Sequence, residues 1–345
     1  MEEKMRKSKR LILCILFFAL IAAVTGCGKG FDIRGTLEET RRIVIPEADR
    51  LYPVKTGYFT MNWNDGSLRL LGHDGALKDK YFREGNGPGE LNKGRADIIG
   101  TFDEKAFVGA LDRSVVLVFS LENEKIRFLD EYPVDEGALR GGAVSKDGTM
   151  WLSLRRGPYQ LLSMTAAGEV TGRYLPTENQ SGRRNPENMI RSMAWIHCEG
   201  DKVFSIGYMS YDLQFYQWDA EALSLLNETK PDPLFVEKNY ELKSSGRRFD
   251  MQGKPGIQGY AVSGETLYLK LLTDEKTGDK EKKLIHALAL NGENRGLWEY
   301  QLKEKGTINR LAGCSHEGEI LAYLEKDDES DEETLVFLRP LQSGK

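Results

Sequence analysis

The chain has 345 residues, with 48 Lys or Arg against 53 Asp or Glu and a formal charge of −5. That balance excludes the broad positive field by which nucleic-acid binders attract phosphate, so no nucleic-acid partner is expected. The length exceeds what one simple core fills, so the sequence asks for a modular fold.

The N-terminus carries Lys4, Arg6, Lys7, Lys9 and Arg10, followed by an apolar run from Leu11 to Val24. Basic residues stay on the cytoplasmic side while a short apolar segment enters the membrane, the design of a secretory signal. The run has 14 residues, short of the roughly 20 that span a bilayer. It ends in Val24-Thr25-Gly26-Cys27, which resembles the lipobox of bacterial lipoproteins. The resemblance implies cleavage before Cys27, diacylglycerol on its thiol and an acylated new amino terminus, so the lipid bilayer becomes a partner through acylated Cys27. Several acyl chains hold stably where one would not. Loss of residues 1–26 removes five of the basic and two of the acidic residues, leaving a mature charge of −8. No later apolar stretch is long enough to cross a bilayer. The predicted organisation is a signal peptide over 1–26, a lipidated tether over 27–40 and one domain over 41–345.

Within that domain the recurring unit is a strand of five to nine residues, a turn built on Gly, Asp, Asn or Ser, and another strand. Arg42–Pro46 reads as an isolated strand. Phe59–Trp63, Ser67–Leu71 and Leu77–Phe82 surround Asn64-Asp65-Gly66 and Asp74-Gly75. Ala106–Leu111, Val115–Leu121 and Lys125–Tyr132 follow, then Met150–Leu154, Gln160–Thr165 and Glu169–Leu175, then Thr266–Leu272, Lys283–Leu290 and Leu297–Leu302. Turns of this composition supply the positive φ of hairpins. Trp218–Asn227 reads either as a strand pair or as a short helix, because Ala220, Leu223 and Leu226 have helical spacing. Pro176–Asn188 and Glu237–Pro255 read as long polar connections.

Grouped in fours, the strands repeat. The turn before each second strand falls at Asp103-Glu104, Asp147-Gly148, Gly200-Asp201, Gly264-Glu265 and Gly318-Glu319, at intervals of 44 to 64 residues, the span a four-stranded propeller blade needs or slightly more. The fold predicted is all-β: a six-bladed β-propeller of four-stranded antiparallel blades. The last unit, Glu319–Leu324 with Thr334–Leu338, lacks a fourth strand, and Arg42–Pro46 is expected to supply it, closing the ring.

Tyr81 to Leu91 read YFREGNGPGEL. An aromatic strand end, an arginine and Gly-x-Gly-Pro-Gly-Glu resemble the TolB-like six-bladed propeller lipoproteins of Bacteroidetes, over about residues 40–340. That resemblance implies the fold and an envelope location, taken here as the periplasmic side of the outer membrane, and it implies no substrate. The phrase itself reads as structural: its glycines reach backbone angles closed to other residues and Pro88 stiffens the crossing.

Catalytic patterns are missing: no phosphate-cradling glycine loop, no Gly-x-Ser-x-Gly and no His-Glu-x-x-His. His197-Cys198 and Cys314-x-His316 carry good zinc ligands, yet adjacent strand residues point oppositely and no Cys-x-x-Cys fixes a geometry, so packing is preferred and no metal or cofactor is predicted. Cys198 and Cys314 form either a disulfide or two separate thiols, the latter preferred. The acidic run Asp327, Asp328, Glu329, Asp331, Glu332, Glu333 reads as a solvated hairpin loop rather than a calcium loop.

Arginine placement is the most suggestive feature. In a propeller the connections between blades share one face with the turns from second to third strands. Arg83, Arg113, Arg140, Arg155, Arg156, Arg183 and Arg184 fall there, while Glu104, Glu122, Asp147, Glu199 and Glu265 fall in turns of the opposite face. The expectation is a basic rim facing an anionic ligand, against the plain alternative that these arginines only solvate loops. Function is therefore expected to be non-catalytic binding of a protein, peptide or glycan by a membrane-anchored propeller. The alternative is a lactonase-like hydrolase or lyase with a metal in the central channel, for which the innermost strands offer mainly Asp97 and Asn309.

Overall fold

A computed structural model describes residues 33–155, 157–176, 194–208, 212–219, 222–229, 240–245, 248–253, 256–271, 284–325 and 332–341. Cys27 with its lipobox, and Arg156, Arg183 and Arg184, lie outside the described residues. Among those residues the only helical element is a single 3-10 turn at Glu122–Glu124; the rest of the regular structure is strand.

Strand β1 (Ile33–Pro46) comes first. The next four are β2 (Tyr52–Val54), β3 (Gly57–Met61), β4 (Leu68–Gly72) and β5 (Leu77–Tyr81). They are followed by β6 (Ala96–Phe102), β7 (Lys105–Ala110), β8 (Val115–Ser120) and β9 (Arg127–Pro133). A third group is β10 (Ala138–Val144), β11 (Met150–Arg155), β12 (Tyr159–Met164) and β13 (Val170–Pro176). A fourth is β14 (Ala194–Glu199), β15 (Lys202–Gly207), β16 (Leu213–Trp218) and β17 (Leu223–Thr229). A hairpin, β18 (Tyr240–Ser245) and β19 (Arg248–Gly253), precedes β20 (Ile257–Ser263), β21 (Thr266–Leu271), β22 (Leu284–Ala289) and β23 (Asn294–Gln301). The chain finishes with β24 (Ile308–Cys314), β25 (Ile320–Leu324) and β26 (Glu332–Pro340).

The first four complete groups are each one antiparallel four-stranded sheet in sequence order. The rest departs from the expectation of separate sheets. β20 to β23 and β24 to β26 are united in one eight-stranded sheet, ordered β20-β21-β22-β23-β1-β26-β25-β24. The cause is the length of β1, which starts nine residues before Arg42. Leu37 to Pro46 pair antiparallel with β26, and the same strand also neighbours β23. Residues 33–40, read from the sequence as the end of the tether, are therefore strand. Two other expectations change. Trp218 ends β16 and Leu223 begins β17, so the helical spacing there is overridden by pairing; and the supposed connection at Glu237–Pro255 contains the β18–β19 hairpin.

Burial follows strand position. The second and third strands, such as β8 and β21, are buried on both faces, because each sheet is covered by a neighbour on either side. Fourth strands such as β5 and β9 are largely exposed. The core is accordingly divided into wedges between successive groups. Phe59 and Leu70 pack with Val108 and Phe119, and Phe107 and Val116 with Leu152 and Leu162. Trp151 packs with Val203 and Tyr216, Phe215 with Leu267 and Leu288, and Tyr268 with Ile320 and Val336. The last wedge joins the ends, with Tyr58 and Leu71 against Tyr323 and Phe337. Each such fully buried side chain contributes about 1.5–3 kcal/mol relative to exposure.

First strands line the axis, β2 beside β6, β6 beside β10, β10 beside β14, and β20 beside β24 and so back to β2. Rings of Trp195 and Tyr260, 5.6 Å apart, connect β14 to β20. Close approach demands glycine here: a Cβ on Gly259 (φ +143°) would sit 2.3 Å from the Leu311 carbonyl oxygen. Inner strands β6, β10, β20 and β24 all carry register shifts at these points, the bulges that bend a strand around a tight centre.

A candidate ligand cavity on the ring axis

The axial cavity has two mouths. One, of about 210 Å³, opens among the starts of the inner strands, the side that carries the connections between sheets. The other, of about 410 Å³, lies among the ends of those strands. Arg50, Tyr52 and Tyr260 border both and form the waist between them.

The first mouth is where charge and aromatic surface meet. Arg50 precedes β2, and its guanidinium lies 3.5 Å over the Tyr260 ring and 5.7 Å from that of Tyr52. Such stacking is worth about 2 kcal/mol where water is excluded. Burial works against the charge on Arg50, but the two tyrosines and Asp97 more than offset it, so its pKa is raised. Among the described residues no carboxylate stands within ion-pair distance of it.

Asp97, on β6, faces the same space beside Gly141, whose absent Cβ would be 2.8 Å from Oδ2. Burial and then repulsion from Asp49 push its pKa up to about 7, with Arg50 and the Ile98 amide pulling the other way. Asp97 therefore titrates near neutrality. Trp195 on β14 and Tyr208 beyond β15 stack at 4.7 Å and complete an aromatic wall. The tyrosine hydroxyls brace the ring: Tyr52 donates to the Ile98 carbonyl at 2.7 Å and Tyr260 to that of Ile196 at 3.4 Å.

A second arginine of this cavity is fully engaged. Arg310, on β24, donates to Asp49 Oδ1 at 3.0 Å, to Glu333 at 3.2 and 3.3 Å and to the Ala48 carbonyl, and lies 4.3 Å over Tyr323. Asp49 also accepts from the Trp63 indole, and Glu333 accepts the Ala48 amide at 3.1 Å.

The other mouth is lined by glycine, small side chains and the His197, Cys198, Cys314 and His316 group. The structure thus brings both His/Cys pairs to one opening. Both cysteines are free thiols. Burial pushes the Cys198 thiol well up, and it pushes Cys314 up to about 12 while the latter donates to the Val262 carbonyl. His197 is held neutral, its pKa lowered to about 3 by burial and then by Arg50, and its Nε2 has no hydrogen-bond partner. Among the described residues no three His, Cys, Asp or Glu side chains are grouped to hold a metal ion.

Among the described residues, the arginines singled out in the sequence stand in different surroundings. Arg83 is exposed, with the Tyr81 ring 5.8 Å away. Arg113 is occupied within the Gly-Pro-Gly-Glu phrase, donating to the Asn86 and Glu90 carbonyls at 3.1 and 3.0 Å and to Glu131 at 3.4 Å. That phrase is tied to itself: Glu90 accepts the Gly87 amide at 2.6 Å, and Tyr81 donates to the Gly89 carbonyl at 3.0 Å. Gly89 has φ +72°, and a Cβ there would strike the Phe128 ring. Arg140 and Arg155 do come into mutual reach. Burial and then Arg155 lower the pKa of Arg140, while Tyr208 opposes them. Asn309 is exposed. In the acidic run, Glu333 is a buried anchor rather than a solvated loop residue, while Asp327, Asp328, Glu329 and Asp331 lie outside the described residues.

No protein-family model and no curated protein matches the chain by sequence. In structure it is similar to a putative exported protein of Bacteroides fragilis, with a TM-score of 0.54 at 12% identity, covering 89% of this chain and 99% of that one. It is also similar to U3-55K (TM-score 0.52, 10% identity, 87% and 99% covered) and to the WD40 repeats of RRP9 (0.50, 9%, 86% and 97%). At such identities the likeness shows the fold alone: an all-β propeller with four-stranded antiparallel blades. Among the described residues no helix is long and apolar enough to cross a membrane.

Proposed function

We infer that this chain is an exported lipoprotein, anchored by acylated Cys27, whose propeller binds a ligand in its axial cavity without catalysing a reaction. The eight-stranded sheet is counted here as two blades, β20 to β23 and β24 to β26 completed by β1, which makes six. That count, the lipobox and the Gly-Pro-Gly-Glu phrase support a TolB-like propeller, and the exported neighbour from Bacteroides fragilis supports a place in the envelope. The ligand is a peptide, glycan or small molecule that enters from the face of the connections between blades.

One observation carries the binding reading. Arg50 and Asp97 border a single cavity with aromatic walls, and neither is neutralised by an ion pair. Opposite charges kept apart on the wall of one open cavity cost the fold something and are useful to a ligand. The test is native mass spectrometry of protein taken from its own envelope, compared with Gly141→Leu, whose side chain would fill the space beside Asp97. A small co-purifying mass present in the wild type and lost in the variant is expected; equal spectra, with no bound mass in either, would remove the cavity from consideration. Cys27→Ala is expected to move the protein from the membrane to the soluble fraction.

A further inference from the structure

We propose that the axial cavity is built for a small zwitterion, its carboxylate held by Arg50, its ammonium by Asp97 and its apolar group by the Trp195–Tyr208 wall. This rests on the binding reading above and narrows it to one ligand chemistry.

Geometry is the basis. Arg50 has one face of its guanidinium covered by Tyr260 at 3.5 Å, and the fork of N–H groups along its edge is the natural partner of a carboxylate. Asp97 is near enough to feel that charge, yet the two do not close into an ion pair. An opposite pair held apart within one cavity wants a bridging molecule that presents both signs, each toward its complement. A ligand bearing only an anion would leave Asp97 facing it, and one bearing only a cation would leave Arg50 facing it; either loses what the other end gains.

The groups around Asp97 agree with this assignment. Asp49 and Arg50 come from the segment before β2 and Tyr52 from its first position. Gly141 on β10 and Tyr208 beyond β15 are uncharged, as is Tyr260 on β20; the charge of Arg140, next on β10, acts on Tyr208 and then on Arg155, and is not among those that shift Asp97. Asp49 is committed to Arg310 and Trp63, so it repels from a distance without competing for the ligand. An ammonium arriving between Asp97 and Asp49 would relieve that repulsion. The Trp195 and Tyr208 rings offer apolar surface for whatever side group separates the two charges.

The experiment is titration calorimetry on the full mature chain with four probes: L-phenylalanine, 3-phenylpropionate, 2-phenylethylamine and a dipeptide ending in phenylalanine. Phenylalanine or the dipeptide should bind at least about tenfold more tightly than either one-charge analogue. Arg50→Gln and Asp97→Asn should each abolish that preference, with folding checked by circular dichroism; should R50Q not fold, Arg50→Lys is expected to bind more weakly while remaining folded. Preference for the dipeptide over phenylalanine would identify a peptide end, and the reverse a free amino acid, both in support. If 3-phenylpropionate binds as well as phenylalanine, or no zwitterionic probe binds, the proposal is overturned. The binding reading survives that outcome if the co-purifying mass still depends on an open Gly141 site, and falls with it if no such mass exists.

Discussion

Arg310 and Arg50 stand on the wall of one cavity and do opposite work. Arg310 has two carboxylates, a backbone carbonyl and a tyrosine ring around it, and it fastens β24 to β26 and to the segment entering β2. Arg50 has aromatic rings and no carboxylate in contact. A charge closed in by carboxylates belongs to the fold, whereas one that has none in contact is available to something that arrives. The same division separates Arg113, bound to loop carbonyls, from Arg155, which is exposed.

The largest effect that could break this comparison comes from Glu333. Glu333→Ala would leave Arg310 with one carboxylate and the Ala48 amide with none, and should cost about 3 kcal/mol of stability in chemical denaturation. A loss below about 1 kcal/mol would mean that Arg310 is no more structural than Arg50. Arg113→Ala comes next. It frees the Asn86 and Glu90 carbonyls, and about 1–2 kcal/mol of destabilisation is expected, with proteolysis of the native protein opening first at the Gly85–Glu90 loop.

Asp97 sharpens the comparison through pH. Its pKa rises from the ordinary carboxylate range when unfolded to about 7 when folded, so the folded state holds the extra proton between those values. Stability contributed through this group is therefore present at low pH, declines as pH rises from about 4 to about 7, and is level above. Asp97→Asn should match the wild type near pH 4 and exceed it by about 1–2 kcal/mol at pH 8, a figure reduced from the full shift because the cavity admits solvent. A variant less stable than the wild type at pH 8 would show Asp97 to be a structural partner. Arg50→Gln should change stability by less than about 1 kcal/mol, the lost ring stacking being offset by relief of a desolvated charge.

Much of the ring was legible in the sequence because hairpin turns and apolar runs are local features. Asn64-Asp65-Gly66, Ala166-Ala167-Gly168 and Asn291-Gly292-Glu293 all lie between paired strands of the structure. What escaped was short or distant. Strand β2 has three residues including Pro53, too few to show alternation, and it brings Asp49, Arg50 and Tyr52 to the axis. The union of β23 with β1 depends on two segments some 260 residues apart, which no local pattern reports. The sequence pattern points to Asp97 on an innermost strand, but it favours loop arginines over Arg50, since a cavity assembled from one or two residues per strand has no contiguous motif. A usable signal did exist: Gly100, Gly142, Gly259 and Gly313 fall within inner strands β6, β10, β20 and β24, though none falls in β14, and they mark where backbones crowd the axis.

Arg155 offers the smallest effect and the cleanest discrimination. It was expected to belong to a basic rim, and in the structure it is an exposed strand end that repels Arg140. Arg155→Ala should leave stability within about 0.5 kcal/mol of the wild type, as for most surface substitutions. If the ligand is held by Arg50 and Asp97 deep on the axis, equilibrium affinity should change little. Association of a net-neutral zwitterion should be little changed as well, whereas an anion gathered by the rim would associate more slowly at low salt, with the difference fading as salt screens it. Stopped-flow association measured at two ionic strengths decides the matter. An affinity loss in R155A as large as that in R50Q, persisting at high salt, would place the contact on the rim rather than in the cavity.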